Sequence, residues 1–292
     1  DPLREIRIGR MRTLERLGLA EPAGPARWVL PTDVESRLRA LGERGDIIKR
    51  LHKSLTKDGA TRAPSSWALE GERHGEPVIG RLIARGLDDE LKGTAFAIVD
   101  GVDGRVHHLK LPDIDMAGDG PIGAIVELRR FEDTSGRTRI ALAVRSDLNL
   151  DQQVVAAGGP WLDRQFAARE PAELSGAGFG AEVRAALDRR IDALAEKVTL
   201  GRGLIETLRR RELDNVGRRL AEETGLSHLP SETGQPVSGV YRQRLSLASG
   251  RFAMIDNGLG FQLVPWAPSL ERERGKQVSG IAGPGSVDWS FG

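Results

Sequence analysis

Several sets of side chains in this sequence are of the types that do chemistry. The most numerous is cationic: Arg4, Arg7, Arg12 and Arg16, then Arg27, Lys49, Arg50 and Lys53. A guanidinium offers five donors in a planar fork that matches a phosphate, and a surface of such cations neutralises a nucleic-acid backbone. These eight residues are the expected DNA contacts. Arg209, Arg210 and Arg211 form a second basic cluster, diluted by Glu206, Glu212 and Asp214. Three carboxylates, Asp113, Asp115 and Asp119, fall in DIDMAGDG and are hard oxygen ligands in type. Their spacing is not that of an EF-hand loop, so an acidic turn is expected. His107 and His108 are adjacent, and neighbours on a strand point to opposite faces, so they do not chelate together. His52, His74 and His228 are scattered. Asp256 sits beside Asn257-Gly258, where an Asx side chain bonds its own backbone in a turn. The loop Asn257-Gly258-Leu259-Gly260 is followed by a strand pattern. A phosphate-cradling glycine loop opens a helix instead. Tyr241, the single tyrosine, reads as a packed strand residue. No catalytic residue, metal or cofactor is expected.

Elements must hold these groups. At 292 residues the chain is long enough for about two domains. Its hydrophobic content of 39% and aromatic content of 4% favour several small cores over one large one. The net charge of +1 conceals dense charge of both signs, with arginine well ahead of lysine. The lack of cysteine excludes disulfides, thiolate metal sites and cysteine nucleophiles. No apolar run approaches the roughly 20 residues that span a bilayer, and no secretory signal appears, so the expected compartment is the cytoplasm. The chain opens on Asp1 directly into a helical pattern, which reads as a fragment of something longer.

The overall expectation is an α+β chain. Residues 1–57 read as a winged-helix-like unit: a helix stopped by Gly18, a Pro/Gly turn with a short strand, then helices after a capping box of Thr32 and Glu35. Residues 58–77 read as a linker. Over 78–150 the period switches to two, predicting five short strands (VIGRLIARGL, GTAFAIVDG, RVHHLKL, AIVELRRF and RTRIALAVR) in a small SH3- or OB-like barrel. A helical segment covers 151–230, with Val183, Leu187, Ile191 and Leu194 on one face and Leu204, Leu208, Val216 and Leu220 on another. Residues 231–292 form a β-rich unit. GTAFAIVDGVDG and GRFAMIDNGLG share a glycine, Phe-Ala, two apolar residues, Asp and a glycine turn. The five tryptophans are anchors for small cores, with base stacking as their alternative use.

Taken in order, RMRTLERLGLAEPAGPARWVL, ALGERGDIIKRLH, PVIGRLIARGLDDELKGTAFAIVDGVDGRVHHLKLPD, WLDRQF, GFGAEVRAALDRR and SGRFAMIDNGLGFQLVPWAPSLERERGKQVSG resemble one family along nearly the whole chain. They look like the C-terminal region, of unknown function, of relaxase and mobilisation nucleases of the Ti-plasmid border-endonuclease type from alphaproteobacteria. The resemblance implies a parent enzyme that nicks DNA with a tyrosine and a histidine-held divalent metal in a head lying N-terminal to the matched region. This sequence holds no His-x-His, and Tyr241 does not match the nucleophile's context. The implied role is a non-catalytic accessory region that binds DNA near the nick during plasmid mobilisation. The alternative is a module that docks the relaxase on relaxosome or type IV secretion components.

Overall fold

The structure is a computed structural model; it describes residues 2–69, 77–132, 135–168, 170–195 and 203–291. His74 lies outside these. The chain divides into two compact units, residues 1–61 and 62–292.

The first unit is a helix, a hairpin and a helix. α1 spans Pro2–Arg16, β1 Glu21–Gly24, β2 Arg27–Val29 and α2 Val34–Asp58. Gly18 ends α1 at φ +69°, with Leu19 N–H bonded to the Leu14 carbonyl and Gly18 N–H to that of Glu15. This is a Schellman motif, and its apolar partners Leu14 and Leu19 share one small core with Ala20. Trp28 packs on that core, and its indole N–H donates to Glu15 at 2.8 Å, which ties the hairpin to α1. Gly59 ends α2 with the same motif. The expected Thr32–Glu35 capping box does not form. Asp33 is the N-cap, and its carboxylate accepts from Arg37 at 2.8 Å. With the cap one residue later than expected, Thr32 stands outside the helix and Glu35 falls at its second position, so the two are out of register for a box.

The second unit holds two six-stranded sheets. The first has the order β3-β6-β5-β4-β7-β8: β3 Trp67–Ala68, β4 Ile79–Asp89, β5 Thr94–Gly101, β6 Val106–Leu111, β7 Ile125–Glu132 and β8 Thr138–Ser146. Four short-to-long helices follow: α3 Leu150–Val155, α4 Trp161–Ala167, α5 Gly178–Ala195 and α6 Leu204–Thr224. The second sheet has the order β9-β12-β11-β10-β13-β14: β9 Ser227–His228, β10 Pro236–Leu247, β11 Gly250–Asp256, β12 Gly260–Pro265, β13 Gln277–Ala282 and β14 Val287–Ser290. All five strands expected over 78–150 are present, but they do not close. β3, from the stretch expected as linker, caps one edge by parallel pairing with β6, and β8 is the other edge. The small-barrel expectation is therefore corrected to an open mixed sheet.

The two sheets are one topology used twice. β9 pairs parallel with β12 as β3 does with β6. Both long first strands carry a bulge at the same place, after Leu82 and after Tyr241. Gly80 and Gly239 match: a Cβ there would lie 2.2 and 2.4 Å from the carbonyl oxygens of Asp100 and Asp256. The cores correspond position by position, Val78 with Val237, Leu82 with Tyr241, Ala97 with Ala253, Leu109 with Val264 and Ala117 with Leu270. The shared Phe-Ala…Asp motif thus marks equivalent strands, β5 and β11. Each sheet also has a second buried face. α3, α4 and α5 cover the first through Trp161, Leu162, Phe179, Val183 and Ala186. α6 covers the second, Leu220 packing with Met254, Phe261 and Leu263. On α5 the buried stripe is Phe179, Val183, Ala186, Arg190 and Leu194; Ile191 is exposed.

Candidate functional site

In the first unit, Arg4, Arg7, Arg12, Arg16, Arg27, Lys49 and Lys53 are exposed and Arg50 is half-buried. Arg4 and Arg7 are one turn apart on α1, and so are Arg12 and Arg16, which sets two short rows along the helix. Arg4, Arg7, Arg12, Arg27 and Lys53 form no ion pair with any described residue. Arg16 donates to Thr13 at 3.2 Å, and Lys49 lies 3.5 Å from Asp46. Glu15 on α1 accepts from the Trp28 indole and makes no ion pair with a described residue. The unit thus presents cations whose charge is not spent internally.

The second unit pairs most of its charges. Asp256 accepts from Gly258 N–H at 2.8 Å and from Arg242 at 2.8 and 3.0 Å. The turn N–H and then the guanidinium hold its carboxyl below the usual range, so it is a turn residue and a poor proton donor. Tyr241 is fully buried, its hydroxyl accepting from the Trp266 indole at 3.1 Å, and burial pushes its pKa up. That is the opposite of an activated nucleophile. His107 lies 2.9 Å from Asp103, and His108 stacks on Phe96 at 5.8 Å. Burial lowers the pKa of His228, which lies against Phe261. Asp113 accepts from Met116 N–H at 3.0 Å within its own loop, and Asp119 faces Arg244 and Arg251. Among the described residues no cluster of His, Asp and Glu could hold a metal ion.

Two buried devices organise this unit. Arg190, 2% exposed, bonds Asp163 through Nε at 2.9 Å and Nη2 at 2.8 Å. It also donates to the carbonyls of Val154, Ala156 and Gly158. All five donors are used. On the helix-covered face of the first sheet, Asp100 is fully buried between Arg62 and Arg81, both of which also reach Glu182 on α5.

Between the sheets lies a cleft of about 1240 Å³ lined by β8, the start of α4, α6, β11 and the end of β12. At one end Arg251 binds Asp147 through two bonds, at 2.6 and 2.8 Å, and Asp119 at 2.6 Å; Arg244 adds a second bond to Asp119. Both guanidiniums lie over the Trp266 ring, at 4.9 and 5.5 Å. Burial opposes ionisation of Asp147 and Asp119, but the arginine bonds outweigh it and hold both carboxyls below their usual range. At the other end Arg145, Arg164 and Arg209 converge. Of these, Arg209 was visible in its sequence cluster. Arg145 and Arg164 carry no local signal, because a strand, a short helix and a long helix bring them together.

The model of a family described as a protein of unknown function, DUF3363, matches residues 7–141 and 129–292. The chain belongs to this family. None of the curated proteins matches it. No described helix is long and apolar enough to cross a membrane.

Proposed function

We propose, from membership of a family without an assigned activity, that this chain is a non-catalytic DNA-binding region. α1 and the β1–β2 hairpin would contact the duplex backbone, the hairpin serving as the wing of a winged-helix-like unit. The observation that carries this reading is the set of Arg4, Arg7, Arg12, Arg27 and Lys53, all exposed and without an ion-pair partner among the described residues. The resemblance to relaxase C-terminal regions supplies the setting: a nick made by another part of the parent enzyme, with this region holding the DNA beside it during mobilisation.

The test is the affinity of the chain for duplex DNA across a salt series. If each of these five cations displaces one counterion, log K falls with log salt at a slope of about −4 to −5. Arg4→Gln, Arg7→Gln and Arg12→Gln should each flatten that slope by about one. Absence of binding at low salt, or a flat response, would sink the reading.

A second reading has its own observation. Leu3 and Ile6 are 62% and 67% exposed on α1, an apolar pair suited to a protein partner such as a relaxosome or secretion component. Leu3→Ser with Ile6→Ser would then abolish partner co-purification and leave the DNA salt slope unchanged.

A further inference from the structure

The cleft between the two sheets is electrically polarised. At its Trp266 end, Arg244 and Arg251 answer three carboxylates, Asp119, Asp147 and Glu271. At its α4–α6 end the balance tips the other way, with Arg129, Arg145, Arg164 and Arg209 against Glu127, Glu206 and Glu212. Arg129 and Arg145 share Glu127, Arg129 at 3.5 Å. Arg209 has Glu206, 4.0 Å away and 74% exposed, too distant and too wet to neutralise it. Arg164 has no carboxylate partner among the described residues; Asp163 beside it is consumed by Arg190. Its guanidinium donates at 2.5 Å to the carbonyl of Ser249, in the β10–β11 turn. Burial first, and then the charges of Arg145 and Arg209, lower the pKa of Arg164. Like charges crowded into a half-buried cleft repel, and an anion that enters relieves the repulsion.

The arginines are also held in place. Arg164 begins one residue after Asp163, whose buried pair with Arg190 fixes the preceding loop. Glu212 accepts both turn N–H groups of Ala248 and Ser249 at 2.9 Å, which fixes the carbonyl that Arg164 holds. Arg209 lies over the Phe252 ring at 5.3 Å. Donors pre-positioned on rigid elements lose little entropy on capturing a ligand.

We propose that Arg145, Arg164 and Arg209 form a phosphate-binding site, taking the phosphate of a free nucleotide or of a single nucleic-acid strand laid in the cleft. Planar, bidentate donors are the chemistry that recognises phosphoryl oxygens. The cleft exceeds the roughly 300–1,000 Å³ that encloses a small ligand, so it has room for more than the phosphate itself. This site is separate from the α1 cations and does not rest on their role.

Calorimetric titration of the full chain at low salt with pyrophosphate, adenosine monophosphate and a short oligothymidylate tests it. Pyrophosphate should bind. Arg209→Gln, which keeps a side chain over the Phe252 ring, should weaken binding roughly tenfold or more, as loss of a charge-assisted contact does, with an unchanged urea midpoint showing that the fold is intact. Arg145→Gln should act alike, while Arg4→Gln with Arg7→Gln leaves pyrophosphate binding unchanged and alters only duplex affinity. Tightest binding of oligothymidylate identifies a strand as the source; tightest binding of the mononucleotide identifies a free nucleotide. If no phosphate compound binds, or if Arg209→Gln and Arg145→Gln both leave the affinities unchanged, the proposal is overturned.

Discussion

Arg190 shows how much one side chain can organise. Its five donors meet two carboxylate oxygens and three carbonyls in a site where Asp163 is 1% exposed. Arg190→Lys keeps the charge but offers three donors on a flexible stem, so carbonyls of the 154–158 loop lose partners. Arg190→Ala leaves the Asp163 charge buried and unpaired. Urea unfolding should show a loss of about 3–5 kcal/mol for alanine, and most of that for lysine. Neither residue was legible in advance. Arg190 sits in DRRIDALA like any surface arginine, and its inward direction is set by Asp163 on a different helix, 27 positions away. Asp256 and Tyr241 were legible because their roles are local, an Asx turn and a strand residue facing a core. The guanidinium on Asp256 and the indole on Tyr241 come from residues whose approach no local pattern announces.

At the scale of elements, glycines at a close approach and glycines in open helix make opposite predictions. Gly80 and Gly239 stand where the backbone of the neighbouring strand leaves no room for a Cβ. Gly80→Ala or Gly239→Ala should cost about 1–3 kcal/mol in chemical denaturation, as overpacking does. Gly42 and Gly45 lie inside α2, where a Cβ would meet nothing within 4 Å. Gly42→Ala with Gly45→Ala should raise helical content by circular dichroism and add about 1 kcal/mol each to that helix. The strands of both sheets could be read from alternation because one face of each buries an apolar row. β3 and β9 could not, since each is two residues long and exists only through parallel pairing with a distant strand. For the same reason the first sheet read as a candidate barrel: alternation reports which face is buried and is silent about whether the edges meet. The cleft was the least legible feature, because Arg145, Arg164 and Arg209 lie on three elements in an arginine-rich chain.

At the scale of the whole second unit, the Arg251 and Arg244 clasp on Asp147 and Asp119 spans the two sheets. Both carboxyls are held below their usual range, so folding makes them stronger acids. A depressed carboxyl stabilises the folded state fully above its unfolded pKa, near 4, and that contribution is lost as pH falls through the folded value. Asp147→Asn should therefore be less stable than the parent at pH 7 by about 2–3 kcal/mol. The gap should close as pH is lowered from about 4 toward 2. Urea midpoints at pH 7 and pH 3 check this; a constant difference would show that the clasp is not electrostatic. The doubled topology has one more consequence, for the folding chain. Two tandem copies of one strand order invite hybrids in which a strand joins the wrong copy. Divergence at matched positions penalises such hybrids: β10 inserted in place of β4 would bring Tyr241 opposite Leu111 instead of Trp266, stranding a buried hydroxyl without its indole donor. Such a hybrid would lack the tyrosine–tryptophan hydrogen bond that only the second sheet can make.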